Sequence, residues 1–293
     1  MQVTGIMGIT MDKEKFARLQ RANGWFGATF LMRFPPFDPQ KTIDDVRADR
    51  SVSQIDLHRL MFGLTFGSYN IKIDLKAAEA GCKVYLKEVQ KRGFSGIATV
   101  QNSSYLEYLS ELGMWDIQLG TVYAYLNEPV KAAYHLIRGL KKDGVNLFMP
   151  YCDFIRCVLA ELENLPKQRV TVRGRGGSAA NPMGFHGGSA LDASVAMNVI
   201  PLMEGLNDEV LIAKRGHSYF YGHLVRRGST SCREQPNCID IYETWLIDRA
   251  YQLKTLQLYF DGYMPVRGVR SILLPEGFDV PSYVRESGPW CFV

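Results

Sequence analysis

The chain has few cysteines, no long apolar run and almost no surplus charge, and each shortage removes a class of protein. Its six cysteines, Cys82, Cys152, Cys157, Cys232, Cys238 and Cys291, are scattered over 293 residues. That is too sparse for the disulfide framework of a small secreted domain, so a reducing compartment is the simpler expectation. The longest uncharged apolar stretches, around Trp25–Met32 and Ala193–Met203, fall short of the roughly 20 residues that a membrane-spanning helix needs. Met1–Thr10 lacks the basic start and apolar core of a signal peptide. A cytoplasmic protein, or a virion component, with no membrane partner is expected. A net charge of only +4 excludes a histone-like polycation. Internal repeats and low-complexity tracts are absent too.

What is present is an ordinary globular composition. Hydrophobic residues make up 46% of the chain and charged residues 22%, enough to bury a core without covalent staples. The length suits one large domain or two lobes. Helix signals dominate the first half. Asp12–Ala22, Ser53–Leu64 and the stretch from Asp74 to Gly93 read as helices. Ser104 and Glu107 form a capping box whose helix stops at Gly113. Pro129 suits a first helical turn, because its missing N–H has no partner there anyway, and that helix runs to Lys142. Tyr151–Glu163 gives another, closed by Pro166.

The second half changes character. Gln168–Arg173 and His217–Arg226 alternate as strands do. Six glycines lie between Gly174 and Gly188, which reads as a long permissive loop. Ser189 and Asp192 open a helix that Pro201 ends. Asp240 and Glu243 look like a second capping box, opening the longest helix, Ile241–Phe260, which Asp261-Gly262 stops. The expected fold class is therefore mainly α with a minor β component (α+β). It comprises a helical N-terminal lobe over 1–166, a basic glycine-rich segment with helices over 167–262, and an extended C-terminal arm over 263–293. A single continuous domain is left open. The arm ends in Trp290, Phe292 and Val293, apolar groups that need covering by the protein's own body or by a neighbouring subunit. A homo-oligomer formed through the arm is the expectation.

Charge distribution gives the functional lead. Lys167, Arg169, Arg173 and Arg175 occur with no acid between them. Lys214, Arg215, Arg226, Arg227 and Arg233 do the same, and the next fifteen residues reverse the sign with Glu234, Asp240, Glu243 and Asp248. Arginines bind phosphate oxygens bidentately, and glycines let backbone approach a ligand. Tyr219 and Tyr221, beside His217 and His223 on one strand face, could stack bases. The leading expectation is a non-enzymatic protein that binds RNA or single-stranded nucleic acid and self-assembles, as a viral nucleocapsid or coat protein does. Its binding set is Arg169, Arg173, Arg175, Lys214, Arg215, Tyr219, Tyr221, Arg226 and Arg227. A second reading is an enzyme that holds a nucleotide or phosphorylated substrate in the Arg173–Gly188 loop, with His186 or His217 as acid or base. A third is a scaffold subunit whose basic loops meet an acidic protein. No cofactor is expected. The only candidate metal set is His217, His223, Cys232 and Cys238, and its spacings are wider than those of common zinc fingers. Nothing resembles a Walker, dinucleotide-binding or Ser-His-Asp signature.

Overall fold

The structure is a computed structural model. It describes residues 2–5, 9–12, scattered positions between 41 and 87, 113, 116–143, 148–186, 203–212, 225–232, 235–262, 270–280, 285 and 291–293. The chain divides into two compact units, Met1–Asn164 and Leu165–Val293.

The N-terminal unit opens with a hairpin, β1 (Gln2–Gly5) against β2 (Ile9–Asp12), antiparallel with Gln2 opposite Asp12. Asp12, expected to begin a helix, lies in β2. Gly113 is helical rather than a helix stop, and helix α1 covers 116–125. Every position of 116–125 is buried, so this helix carries no polar stripe for a periodicity argument to find. A turn through Leu126 and Asn127, the latter at φ 62°, leads to α2 (Pro129–Asp143). The Ala132 N–H bonds the Glu128 carbonyl at 3.0 Å, Pro129 sits where its lost donor costs nothing, and Lys141 and Lys142 close the last turn where the helix dipole favours cations. The third helix, α3 (Phe148–Glu163), packs on α2. It buries Phe154, Ile155, Val158, Leu159 and Leu162, the spacing of one apolar face.

The C-terminal unit is a ten-stranded sheet. Its strands are β3 (Gln168–Thr171), β4 (Met183–His186), β5 (Glu204–Gly205), β6 (Val210–Ile212), β7 (Val225–Cys232), β8 (Gln235–Ile247), β9 (Leu253–Asp261), β10 (Ser271–Leu273), β11 (Phe278–Asp279) and β12 (Cys291–Phe292). The long antiparallel ribbon β8–β9 is the spine, with Ile239 opposite Asp261 and Ile247 opposite Leu253. β6 and β7 line the outer edge of β8. β3 and β4 line the outer edge of β9, both parallel to it.

The expectation of a mainly helical protein is therefore wrong. Strand accounts for 37% of the described residues and helix for 35%, and the described part of the C-terminal half is an ordered sheet rather than irregular chain. The expected long helix Ile241–Phe260 is a β-hairpin. At its turn the Asp248 carboxylate accepts the backbone N–H groups of Ala250 and Gln252 at 3.0 and 2.9 Å, while Tyr251 takes φ 59°. This Asx-type turn reverses the chain. Asp240 and Glu243, read as a helix cap, instead pair with arginines on the neighbouring strand.

Alternation divides the sheet residues between two faces. Val172, Met183, Phe185, Leu211, Leu246, Leu256, Leu258, Phe260, Ile272 and Phe292 form one core. The residues between them in register point the other way. The described part of the tail belongs to this same sheet: β10 lies between β4 and β12, and Leu274 and Val293 are joined by a 2.9 Å backbone bond. Among the described residues, no helix is long and apolar enough to cross a membrane.

Candidate functional site

The face opposite the core is where one residue of each basic segment, Arg169 and Arg227, joins a common row. Register places Arg169 and Thr171 of β3 beside Thr255 and Gln257 of β9, and Gln257 beside Glu243 of β8. Side-chain bonds complete a row across four strands. The Arg169 guanidinium donates to Gln257 Oε1 at 2.9 Å, and the Arg227 guanidinium donates to Glu243 Oε1 at 2.6 Å. At about 4.8 Å per strand, roughly 14 Å separates β3 from β7.

The meeting does not leave a bare basic patch. Arg227 is paired with Glu243, and Arg226 turns to the core-side face, where it bonds Asp240 at 2.7 Å and also Ser229. The acid-rich stretch that follows the basic segment is its neighbouring strand, so the charges that alternate along the sequence cancel across the hairpin. Arg173 is exposed. Lys167 belongs to the buried, apolar end of the opposite face, with its ammonium 4.7 Å from the Trp245 ring centroid, a cation–π contact.

Lys214, Arg215, Tyr219 and Tyr221 lie outside the described residues, as do His217 and His223 of the metal set. Of that set, Cys238 is an exposed free thiol, and Cys232 is described only as the β7 backbone opposite Gln235. Among the described residues, no group of three or more His, Cys, Asp and Glu side chains could hold a metal.

The glycine-rich segment is a folded turn in its described part, 174–186. Gly174 and Gly176 take φ 67° and 81°. A side chain at Gly174 would collide with the Glu276 carboxylate, and one at Gly177 with the Val172 carbonyl. The glycines thus let the turn pack against its own unit. Two of its N–H groups bond within the turn: Gly176 to the Asn181 carbonyl at 2.7 Å and Gly177 to the Gly174 carbonyl at 3.2 Å. The Gly176 carbonyl accepts from the Tyr259 N–H at 2.9 Å, filling the edge of β9 between β3 and β4. The side chains of this region carry the more specific features.

Those side chains are Arg175, His186 and Asp261. Gly184 is opposite Asp261, and His186 is opposite Ser271. Alternation sets Asp261, His186 and Ser271 on the polar face, on the adjacent strands β9, β4 and β10. Asp261 is fully buried. One guanidinium nitrogen of Arg175 and Nδ1 of His186 are both shielded from solvent and have no hydrogen-bond partner. His186 interacts electrostatically with both other groups. Burial and the Arg175 charge hold its imidazole below the ordinary range, against the opposing pull of Asp261, so it is neutral at pH 7. Arg175 and His186 were singled out by the sequence. Asp261 was missed because Asp-Gly reads as a helix stop, and Ser271 carried no signal.

The N-terminal unit holds a second buried polar cluster. Asp116, on α1, is fully buried. It receives His135 Nδ1 at 2.8 Å, Lys142 Nζ at 2.7 Å and Arg138 Nε at 3.4 Å, all from α2. Burial raises its pKa, but Lys142, the His135 hydrogen bond and Arg138 outweigh that and hold it at about 2. His135 is pushed down by burial despite Asp116. It is therefore a neutral donor here, stacked on Tyr123 at 5.5 Å between ring centroids.

Compared with known proteins, the chain matches no family model, no curated protein and no solved structure, so no relative supports RNA binding, a nucleocapsid role or a viral origin.

Proposed function

We propose that the C-terminal unit binds a small phosphorylated ligand, a nucleotide or another phosphate ester, at Arg175 and His186. One observation carries this reading: two buried polar atoms, one on the Arg175 guanidinium and one on the His186 imidazole, lack hydrogen-bond partners, and the arginine lies within electrostatic reach of the histidine. Leaving such a group unsatisfied costs about 1–3 kcal/mol, more when it is charged. A phosphate oxygen is the natural acceptor for an arginine N–H, and the bond is charge-assisted. His186 is the acid–base group of this reading: its neutral imidazole can accept a proton, and the imidazolium so formed can return it. A reducing, cytoplasmic setting accompanies it, because Cys238 and Cys291 are exposed free thiols.

Calorimetric titration of the full chain with inorganic phosphate and with a nucleoside monophosphate tests the reading. Arg175→Gln is expected to weaken binding by about tenfold or more, the worth of one charge-assisted hydrogen bond. Undiminished affinity in that variant, or no binding by the parent protein, overturns it.

A further inference from the structure

We infer that the ligand held at Arg175 and His186 is the phosphate monoester of an uncharged, largely apolar alcohol. Its organic group leaves the phosphate across β10 and lies against Cys291 and Val293. The inference rests on the phosphate reading above and narrows the ligand class. It comes from strand register and from the way exposure changes along two rows of residues on the face that carries His186.

The first row is His186, Ser271 and Cys291. His186 of β4 is opposite Ser271 of β10, and Ser271 is level with Cys291 of β12. The second row runs from Asp261 of β9 through Gly184 of β4 to Leu273 of β10. Val293 extends it. Its N–H bonds the Ile272 carbonyl and its carbonyl accepts from the Leu274 N–H, each at 2.9 Å, so it continues β12 beside Leu273. Alternation puts both rows on one face, because Phe185, Ile272 and Phe292, at the positions between, belong to the core.

Exposure rises in the same direction along both rows. His186 and Ser271 are half-buried, and Cys291 is exposed. In the second row Asp261 is 0% exposed and Leu273 8%, but Val293 is 60% exposed. The face is therefore closed on the β9 side and open on the β12 side. A phosphate seated on the unpartnered atoms of Arg175 and His186 directs its ester oxygen towards β12, where solvent reaches the sheet. From His186 to Cys291 is two strand spacings, roughly 10 Å, the reach of a small organic group.

The chemistry of that path selects the group. Ser271, Cys291 and Val293 have uncharged side chains, so a second phosphate, as in a nucleoside diphosphate, meets no cation from them. An apolar group instead covers Val293, an exposed large hydrophobic residue, and gains from removing that surface from water.

Naphthyl phosphate and inorganic phosphate are the two probes, and Cys291 is the reporter. N-ethylmaleimide alkylation of the full chain is followed at each cysteine by peptide mass spectrometry. Naphthyl phosphate at about ten times its dissociation constant should slow alkylation of Cys291 roughly tenfold, as occupancy of a covering site requires. Inorganic phosphate at equal saturation should leave that rate unchanged. Cys238, an exposed free thiol on β8, is separated from β12 by β9, β4 and β10 and should react at one rate throughout. Cys291→Trp, at an exposed position of the strand, should weaken naphthyl phosphate and leave inorganic phosphate as tightly bound as before. Three results overturn the inference while the phosphate site stands: naphthyl phosphate binding without protecting Cys291, equal protection by both probes, or binding of inorganic phosphate alone. An equal loss of both probes in Cys291→Trp does the same. Failure of both probes to bind the parent protein overturns the site and the inference together.

Discussion

Each unit buries a carboxylate beside a histidine and an arginine, yet the two clusters are finished differently. Around Asp116, donors from His135, Lys142 and Arg138 converge on the two carboxylate oxygens, so the charge is neutralised within the helices. Around Asp261, the guanidinium and the imidazole each keep a shielded atom without a partner. A closed cluster of buried charges holds elements in register, and removing one member leaves the rest stranded. An open one keeps donors in place for something that arrives later. The contrast fits a structural role for the first cluster and motivates the ligand proposed for the second.

The contrast breaks most visibly at Asp116. Asp116→Ala should cost about 3–5 kcal/mol, because Lys142 and Arg138 lose the charge that compensates their burial; urea melts followed by far-ultraviolet circular dichroism measure it. The pH dependence follows from the sign of the shift. The folded pKa of about 2 lies below the ordinary 3.8, so this carboxylate's stabilisation is complete above the unfolded value and is lost as pH falls through about 2. Asp116→Asn should remove that acid transition; a parent-like acid melt in the variant would refute the closed-cluster account.

Next in size is the tail. Phe292 is buried in the sheet core and β12 extends β10. Phe292→Ala should lose about 3–5 kcal/mol, the usual cost of emptying a packed aromatic site. Loss of an assembled species in light scattering, with thermal stability unchanged, would instead mark the tail as an intersubunit arm.

A smaller and more diagnostic effect concerns His186. Its nuclear magnetic resonance titration midpoint should rise in Arg175→Gln, which removes a repelling cation, and fall in Asp261→Asn, which removes an attracting anion. Shifts of the same sign in both variants would show that the three groups do not form one cluster. Since the folded imidazole sits below its ordinary range, it disfavours the fold as pH drops below about 6.5.

The smallest effect is expected at the sheet's outer edge. Arg226→Ala and Arg227→Ala remove exposed ion pairs that salt screens, and the thermal midpoint should stay within measurement scatter. A clear drop that disappears in high salt would show those pairs contributing more than exposed pairs usually do.

Helices with a terminal signal and one apolar face were legible in the sequence. Pro129 and a run to Lys142 marked α2, and Tyr151–Glu163 closed by Pro166 marked α3. β3 was legible from its alternation. The β8–β9 hairpin was not, because Asp240 and Glu243 stand three apart as in a capping box, and Asp261-Gly262 imitates a helix stop. The period-two run Leu256, Leu258, Phe260 was the signal that could have corrected it. α1 escaped notice because a helix buried on every side shows no stripe.

By itself, then, the sequence determined the local elements with strong end signals, and it offered Arg175 and His186 only as candidates. Only the tertiary structure decided what those residues face. Strand pairing set Arg227 against Glu243 and Arg226 against Asp240, cancelling a charge pattern that looked like a patch along the chain. It also brought Asp261, remote in sequence from His186, to the adjacent strand. Such pairings depend on register between distant segments, and no local pattern of side chains encodes that register.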